Sequence, residues 1–303
     1  MGELSRLKST LYIGALVLMW GISWPVYKIA LNYTPPILFA GMRTLVGGLL
    51  LTMTIAPRYK QIGWRKNWRI YLVSALLNAF LFYGLQTVGL RYVPEGLFTV
   101  LVYLQPVLIG ILSWLWLKES LGAGKVIGLI LGFVGVGVIS VSSLSGHIAP
   151  IGIVLAIGTA VSWAIGTVYV KKVGPQVDAL WLVAFQCIIG GVAMTLIGLA
   201  SESWSSIVWN GLYVSGLIYG SVFGIPISWA LFYTLVRAGD ASKVASFTFL
   251  VPLLAIVLGS IFLHESVTLS LFVGLVLIVV SIYLVNRTKR RRAIDMVDQE
   301  VGA

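Results

Sequence analysis

Charge is scarce in this chain: 10% of its 303 residues are charged while 59% are hydrophobic. Soluble domains carry about 25% charged residues, so the polar surface needed to coat a body facing water is missing. Acids are the scarcest, with 10 Asp and Glu against 21 Lys and Arg. The one cysteine, Cys187, lies in an apolar run, which excludes a disulfide framework and a Cys-based metal site. His147 and His264 are far apart and lack the spacing of a zinc-binding helix. There is no P-loop, no GxGxxG after a strand and no GxSxG elbow. Neither an enzyme, a cofactor nor a bound metal is expected.

Long apolar runs are what the chain has. One bilayer span takes about 20 apolar residues, and runs of this kind fall at Leu11 to Leu31, Pro35 to Ala56, Ile70 to Leu90, Val93 to Leu117 and Leu121 to Val141. Five more fall at Pro150 to Val170, Ala179 to Ala200, Leu212 to Val236, Ala241 to Leu263 and Val267 to Val285. Isolated strands in lipid would leave backbone groups unpaired, so the runs are helices and the fold class is an all-α integral membrane protein with ten spans. The first run ends without an A-x-A-like cleavage site and reads as a retained helix.

The basic residues orient the spans. Arg6 and Lys8, the cluster from Arg58 to Arg69, Lys118 and Lys125, Lys171 and Lys172, Arg237 and Lys243, and the tail from Arg287 to Arg292 all fall on one side. Arg91 alone is left for the opposite loops, and Lys28 and Arg43 lie within spans. The net charge of +11 is therefore a positive-inside signature in a plasma (inner) membrane with both termini cytoplasmic, not a nucleic-acid surface. Arg290 to Arg292 read as a stop-transfer anchor that can also touch anionic lipid headgroups.

The chain repeats itself. Leu104-Gln105-Pro106 followed by Lys118-Glu119-Ser120 recurs 146 residues later as Leu250-Val251-Pro252 followed by His264-Glu265-Ser266, and the same offset pairs Arg91 with Arg237. An offset of 143 pairs Trp20 with Trp163, Lys28 with Lys171, and Gly47-Gly48 with Gly190-Gly191. The units are 1–146 and 147–288, with a basic tail at 289–303. Five spans per unit is an odd number, so the second unit enters the membrane inverted, and such pairs enclose a path at their interface.

Ten spans, Trp20-Gly21, Arg43, and the paired Pro106/Glu119 and Pro252/Glu265 elements resemble the EamA family of the drug/metabolite transporter superfamily. His264 stands where many members have glycine. The resemblance implies a central cavity lined by helices one, three, four, six, eight and nine, with five and ten peripheral, and export from the cytoplasm by alternating access.

Candidate residues follow from chemistry at membrane depth. Trp64, Trp68, Trp114, Trp116, Trp181, Trp204 and Trp209 fall near span ends, where indoles anchor at the headgroups. Trp20, Trp24, Trp163 and Trp229 lie deeper, and Trp20, Trp24 and Tyr27 share one helical face. The repeat sets Tyr83 against Trp229 and Tyr103 against Phe249, an aromatic wall from both halves, which Tyr233 extends. Asn78, Gln86, Gln105, Thr167 and Ser228 offer neutral hydrogen bonds, to substrate or between helices. Arg43, matched by Gln186, either captures a substrate carboxylate or, more simply, ties helix carbonyls; Lys28 snorkels.

No acid lies in the middle of a span. That disfavours cationic cargo and proton coupling through a membrane carboxylate. Glu119 and Glu265 are expected to close helix-to-helix turns, and Arg91 to pair with Glu95. Pro25, Pro106, Pro226 and Pro252 interrupt helices one, four, eight and nine, and the pair Pro106 and Pro252 is placed as hinges. Gly124, Gly128 and Gly132 form a small-residue face that packs within the bundle or, as the alternative, makes a homodimer. The expected function is an exporter of small metabolites, foremost zwitterionic amino acids with aromatic or bulky apolar side chains. A flippase for an amphipathic carrier is the alternative, ahead of a membrane enzyme or a channel.

Overall fold

A computed structural model describes residues 4–93, 95–141, 149–263 and 269–287. Among these described residues ten helical spans occur in chain order. They are α1 (Arg6–Ala30), α2 (Pro36–Ile55), α3 (Trp64–Gly89), α4 (Glu95–Val102 and Gln105–Leu117), α5 (Ala123–Ile139), α6 (Pro150–Val173), α7 (Ala179–Ser201), α8 (Gly211–Ala238), α9 (Ala241–Ser246 continuing to Leu250–Leu263) and α10 (Leu269–Asn286). Eight of these are long and apolar enough to cross a bilayer on their own, while α5 and α9 are shorter apolar helices. Strands are absent among the described residues.

Helix starts follow the local chemistry. Asp178 caps α7 by accepting from the N–H groups of Leu180 and Trp181, Asn210 caps α8 through Tyr213 N–H, and α2 and α6 open with proline in the first turn. Pro25 lies inside a continuous α1 and does not break it.

The two halves pack as an exchange-symmetric pair. α2 lies along α7, and α5 along α10. The contact of α1 with α9 is repeated by α6 with α4, that of α1 with α8 by α6 with α3, and that of α2 with α8 by α7 with α3. Swapping the halves maps each of these contacts onto another, as a pseudo-two-fold axis between two inverted five-helix units requires.

The α5–α10 seam uses the small-residue face. A Cβ on Gly128 would press on Val285 and the Ser281 carbonyl, and one on Gly132 on the Phe249 ring, whereas Gly124 has only the Leu284 carbonyl at 3.8 Å. Gly128 and Gly132 thus close a contact inside the chain. Gly132→Leu is expected to destabilise the bundle by about 1–3 kcal/mol, and Gly124→Leu to leave it unchanged. Thermal unfolding in detergent separates the two.

Two features of the fold fall outside the expected plain helices. In α3 residues Leu76–Leu81, and in α8 residues Gly220–Ile227, the helix widens to i→i+5 pairing. The widened turns end at Leu81 and Ile227, which are 146 apart, so they are repeat equivalents. A π-turn inserts one residue and releases a carbonyl, and the carbonyl of Leu77 accepts from Ser162 Oγ at 2.6 Å. The half-helices of α4 and α9 break at corresponding places too, before Gln105-Pro106 and through a 3-10 turn at Phe247–Phe249 before Pro252.

Candidate functional site

Between the halves lies a cavity of about 400 Å3. Its floor is aromatic because the symmetric contacts bring the deep rings of both repeats to the axis. Trp20 and Trp163, repeat equivalents, meet edge to face at 5.5 Å between centroids. Tyr83 and Trp229, also equivalents, are joined by a hydrogen bond of 2.9 Å from the indole Nε1 to the phenolic oxygen. Phe82 closes the ring at 5.0 Å from Trp163 and 6.0 Å from Trp229. Trp20 Nε1 donates to Ser228 Oγ at 2.9 Å, and that serine back-bonds to the Gly224 carbonyl. Each edge-to-face pair adds about 0.5–1.5 kcal/mol beyond burial, so the floor is held rigid from both halves.

Arg43 forms one wall. It is 6% exposed, and its guanidinium carbon stands 4.0 Å from the centroid of Tyr27, 5.1 Å from Tyr83 and 5.3 Å from Phe39. Its Nε and Nη1 have no hydrogen-bond partner, and neither do Tyr27 Oη nor Trp163 Nε1. The charge rests on three aromatic faces; the helix carbonyls expected as its simpler partners do not bond those two nitrogens. Gly224 lets Tyr27 approach, since a Cβ there would overlap the Tyr27 hydroxyl.

The cavity reaches the end of the bundle where α1 meets α2 and α3 meets α4, with Lys28, Leu31, Pro36, Leu90 and Arg91 at that margin. Lys28 is exposed and stands in the cavity wall. The expected Arg91–Glu95 pair falls on a side chain outside the described residues; Arg91 pairs with Glu202 at 2.8 Å. Glu202 also accepts from the N–H groups of Ile37 and Leu38, capping α2 from the other repeat.

The opposite end is tied shut by ions. Glu119, 9% exposed after α4, accepts from Lys171 Nζ at the end of α6, from Ala241 N–H at 2.9 Å and from Ser242 Oγ at 3.1 Å at the start of α9. Lys125, at the start of α5, is buried and donates to Asp240 at 3.1 Å and Ser242 at 3.2 Å. Burial pushes the Asp240 carboxyl up, but the hydrogen bond and charge of Lys125, joined by Lys243, outweigh it and leave the group below its ordinary range. The expected turn-closing role of Glu119 is thus corrected: the residue bridges the repeats. Above this knot Gln105 Nε2 donates to Thr248 Oγ1 at 2.8 Å, fastening α4 to α9.

The profile of the EamA-like transporter family matches residues 7–141 and again 150–287. This chain belongs to that family. The transporter YvbV of Bacillus subtilis (strain 168), described as uncharacterized, is 55% identical over 97% of this chain and 96% of its own. A protein named "Probable amino-acid metabolite efflux pump" of Escherichia coli (strain K12) is 26% identical over 89% of this chain and 91% of its own, and one of the same name in Salmonella typhimurium is 26% identical over 91% and 95%. A protein of known crystal structure superposes with TM-score 0.80 at 19% identity, covering 99% of this chain and 100% of that one, which shows the shared fold. The protein is a multi-pass membrane transporter of the EamA type.

Within this EamA fold, Trp20, Tyr27, Tyr83, Gln86, Tyr103, Trp163, Trp229 and Arg43 stand in the cavity wall. Four other candidates lie elsewhere. Asn78 packs against Gly166 and donates to Ser74. Thr167 is buried on α6. Tyr233 donates to Gln186 at 2.9 Å, and Phe249 fills the notch over Gly132. The Trp24 side chain, His147, His264, Glu265 and the basic tail at 289–303 lie outside the described residues. Trp64, Trp68, Trp114, Trp116, Trp204 and Trp209 are exposed, as headgroup anchors would be, but Trp181 is 2% exposed, donates to the Arg58 carbonyl at 3.0 Å and stacks on Phe185.

Two wall elements were not anticipated. α2 contributes Pro36, Phe39 and Ala40 besides Arg43, although the family resemblance implied only helices one, three, four, six, eight and nine. The signal was available, since Phe39 and Arg43 are i, i+4 on one face. Phe82 was missed because the π-turn before it rotates α3 by an extra residue and brings neighbours 82 and 83 together to the cavity.

Pro106 and Pro252 are buried beside the matched breaks of α4 and α9 rather than in the wall. Replacing both with alanine is expected to slow counterflow several-fold while ligand affinity, measured by calorimetry, stays near normal; unchanged flux would remove them as hinges.

Proposed function

We propose that the protein exports small amino-acid-type solutes with aromatic or bulky apolar side chains, by alternating access, across the plasma membrane with both termini in the cytoplasm. The observation that carries this reading is the chamber of Trp20, Trp163, Trp229 and Phe82, built equally by the two repeats, with Arg43 in its wall. Its volume of about 400 Å3 is at the small end of ligand pockets. The efflux-pump names of the two enterobacterial relatives point the same way.

With the basic loops cytoplasmic, the open end faces outward and the ion knot is the cytoplasmic seal. A solute's side chain rests on the rings and its polar head meets Arg43. Exchange of the two halves' conformations would then close the outer end and release the knot of Glu119 and Lys171.

Counterflow tests the reading. Proteoliposomes preloaded with unlabelled phenylalanine, tryptophan or leucine are expected to accumulate labelled phenylalanine transiently, and those preloaded with aspartate or lysine to accumulate none. Exchange of small polar amino acids with no exchange of aromatic ones would contradict it.

A further inference from the structure

The walls of the chamber offer, among the described residues, donors and no acidic acceptor. Among the described residues lining it the charged groups are Arg43, Lys28 and Arg91, with no carboxylate. Glu202, among the described residues, pairs with the wall residue Arg91 and is engaged further by two backbone N–H groups. The buried polar atoms without partners among the lining residues are Arg43 Nε and Nη1, Trp163 Nε1 and Tyr27 Oη; three of these are donors only and the fourth is a hydroxyl. An anion entering such a low-dielectric site gains charge-assisted bonds, whereas an ammonium group sheds water and meets only neutral oxygens such as that of Gln86.

Resting on the amino-acid reading above, the geometry points to recognition of the carboxylate alone. The site takes aromatic monocarboxylates as a substrate class, and the α-ammonium of an amino acid adds nothing to binding. Arg43 presents its fork to the carboxylate while the rings hold the aryl group, so a deaminated acid satisfies every donor that the amino acid satisfies. Removing the carboxylate leaves the Arg43 nitrogens buried without an acceptor.

Isothermal titration of the full chain in nanodiscs with 3-phenylpropionate, phenylalanine, 3-phenylpropionamide and phenethylamine decides it. The acid is expected to bind at least as tightly as phenylalanine, and the amide and the amine roughly 10- to 100-fold more weakly. Arg43→Gln is expected to erase the preference for the acid over the amide, and Arg43→Lys to keep part of it. Should the variants not fold, the four-ligand series on the unaltered protein stands by itself. Binding of phenylalanine without binding of 3-phenylpropionate would overturn carboxylate-only recognition and leave the amino-acid reading intact. Amine binding as tight as the acid would also overturn it, and no binding of any of the four would remove both.

Discussion

Replacing Glu119 with alanine is expected to open the sealed end of the transporter. The carboxylate is 9% exposed and Lys171 18%, and the same carboxylate receives Ala241 N–H and Ser242 Oγ. Breaking a buried pair by removing one partner costs about 3–5 kcal/mol, because the remaining cation and donors are left in a poor solvent. That cost falls on the closed form, while an opened end lets water reach Lys171. The equilibrium therefore moves toward opening by about 100- to 4,000-fold. Val170, fully buried on α6, is the repeat equivalent of Tyr27, which faces the cavity at the open end. A cysteine at Val170 in a Cys187→Ser background should react with a membrane-impermeant maleimide from that end at least about 100 times faster when Glu119 is alanine. An unchanged rate would show that other contacts hold the end closed.

The second large effect belongs to the floor. Trp229 is 1% exposed, touches Trp20, Phe82, Trp163, Phe232 and Tyr233 through its ring, and donates to Tyr83. Trp229→Ala is expected to cost about 3–5 kcal/mol of stability and to abolish phenylalanine counterflow. Trp229→Phe keeps most of the packing and leaves the Tyr83 hydroxyl without its donor, so a loss near 1 kcal/mol is expected. Thermal unfolding and counterflow on both variants separate packing from the hydrogen bond. Full transport by Trp229→Ala would place the solute path elsewhere.

Much of this was legible in the chain. Apolar runs marked the ten spans to within about six residues, because lipid admits no other backbone solution, and the 143 and 146 offsets paired Trp20 with Trp163 and Tyr83 with Trp229, though also Tyr103 with Phe249, which lies over Gly132 instead. Trp20 against Trp163 and Tyr83 against Trp229 are repeat partners that touch, a consequence of lying near the axis. The rest depended on contacts that spacing cannot encode. Glu119 looked like a turn residue because its partners, Lys171 and the start of α9, are 52 and more than 120 residues away. Trp181 looked like an interfacial anchor because its position near a span end says nothing of the Arg58 carbonyl waiting for its indole. Asn78, expected at the cavity, lies away from it and Phe82 lines it, because a π-turn shifts helical phase between them without a proline to announce it.

The central claim is that one chamber opens to the two membrane faces in turn. Spin labels at Asn32 and Tyr92 span the open mouth, and labels at their repeat equivalents Pro175 and Ala238 span the sealed end. All four positions are exposed. Double electron–electron resonance on each pair in nanodiscs, with and without saturating phenylalanine, reads both ends. The account predicts a second population on adding ligand in which the Asn32–Tyr92 distance shortens and the Pro175–Ala238 distance lengthens. Two ends that stay fixed, or that widen together, would contradict it.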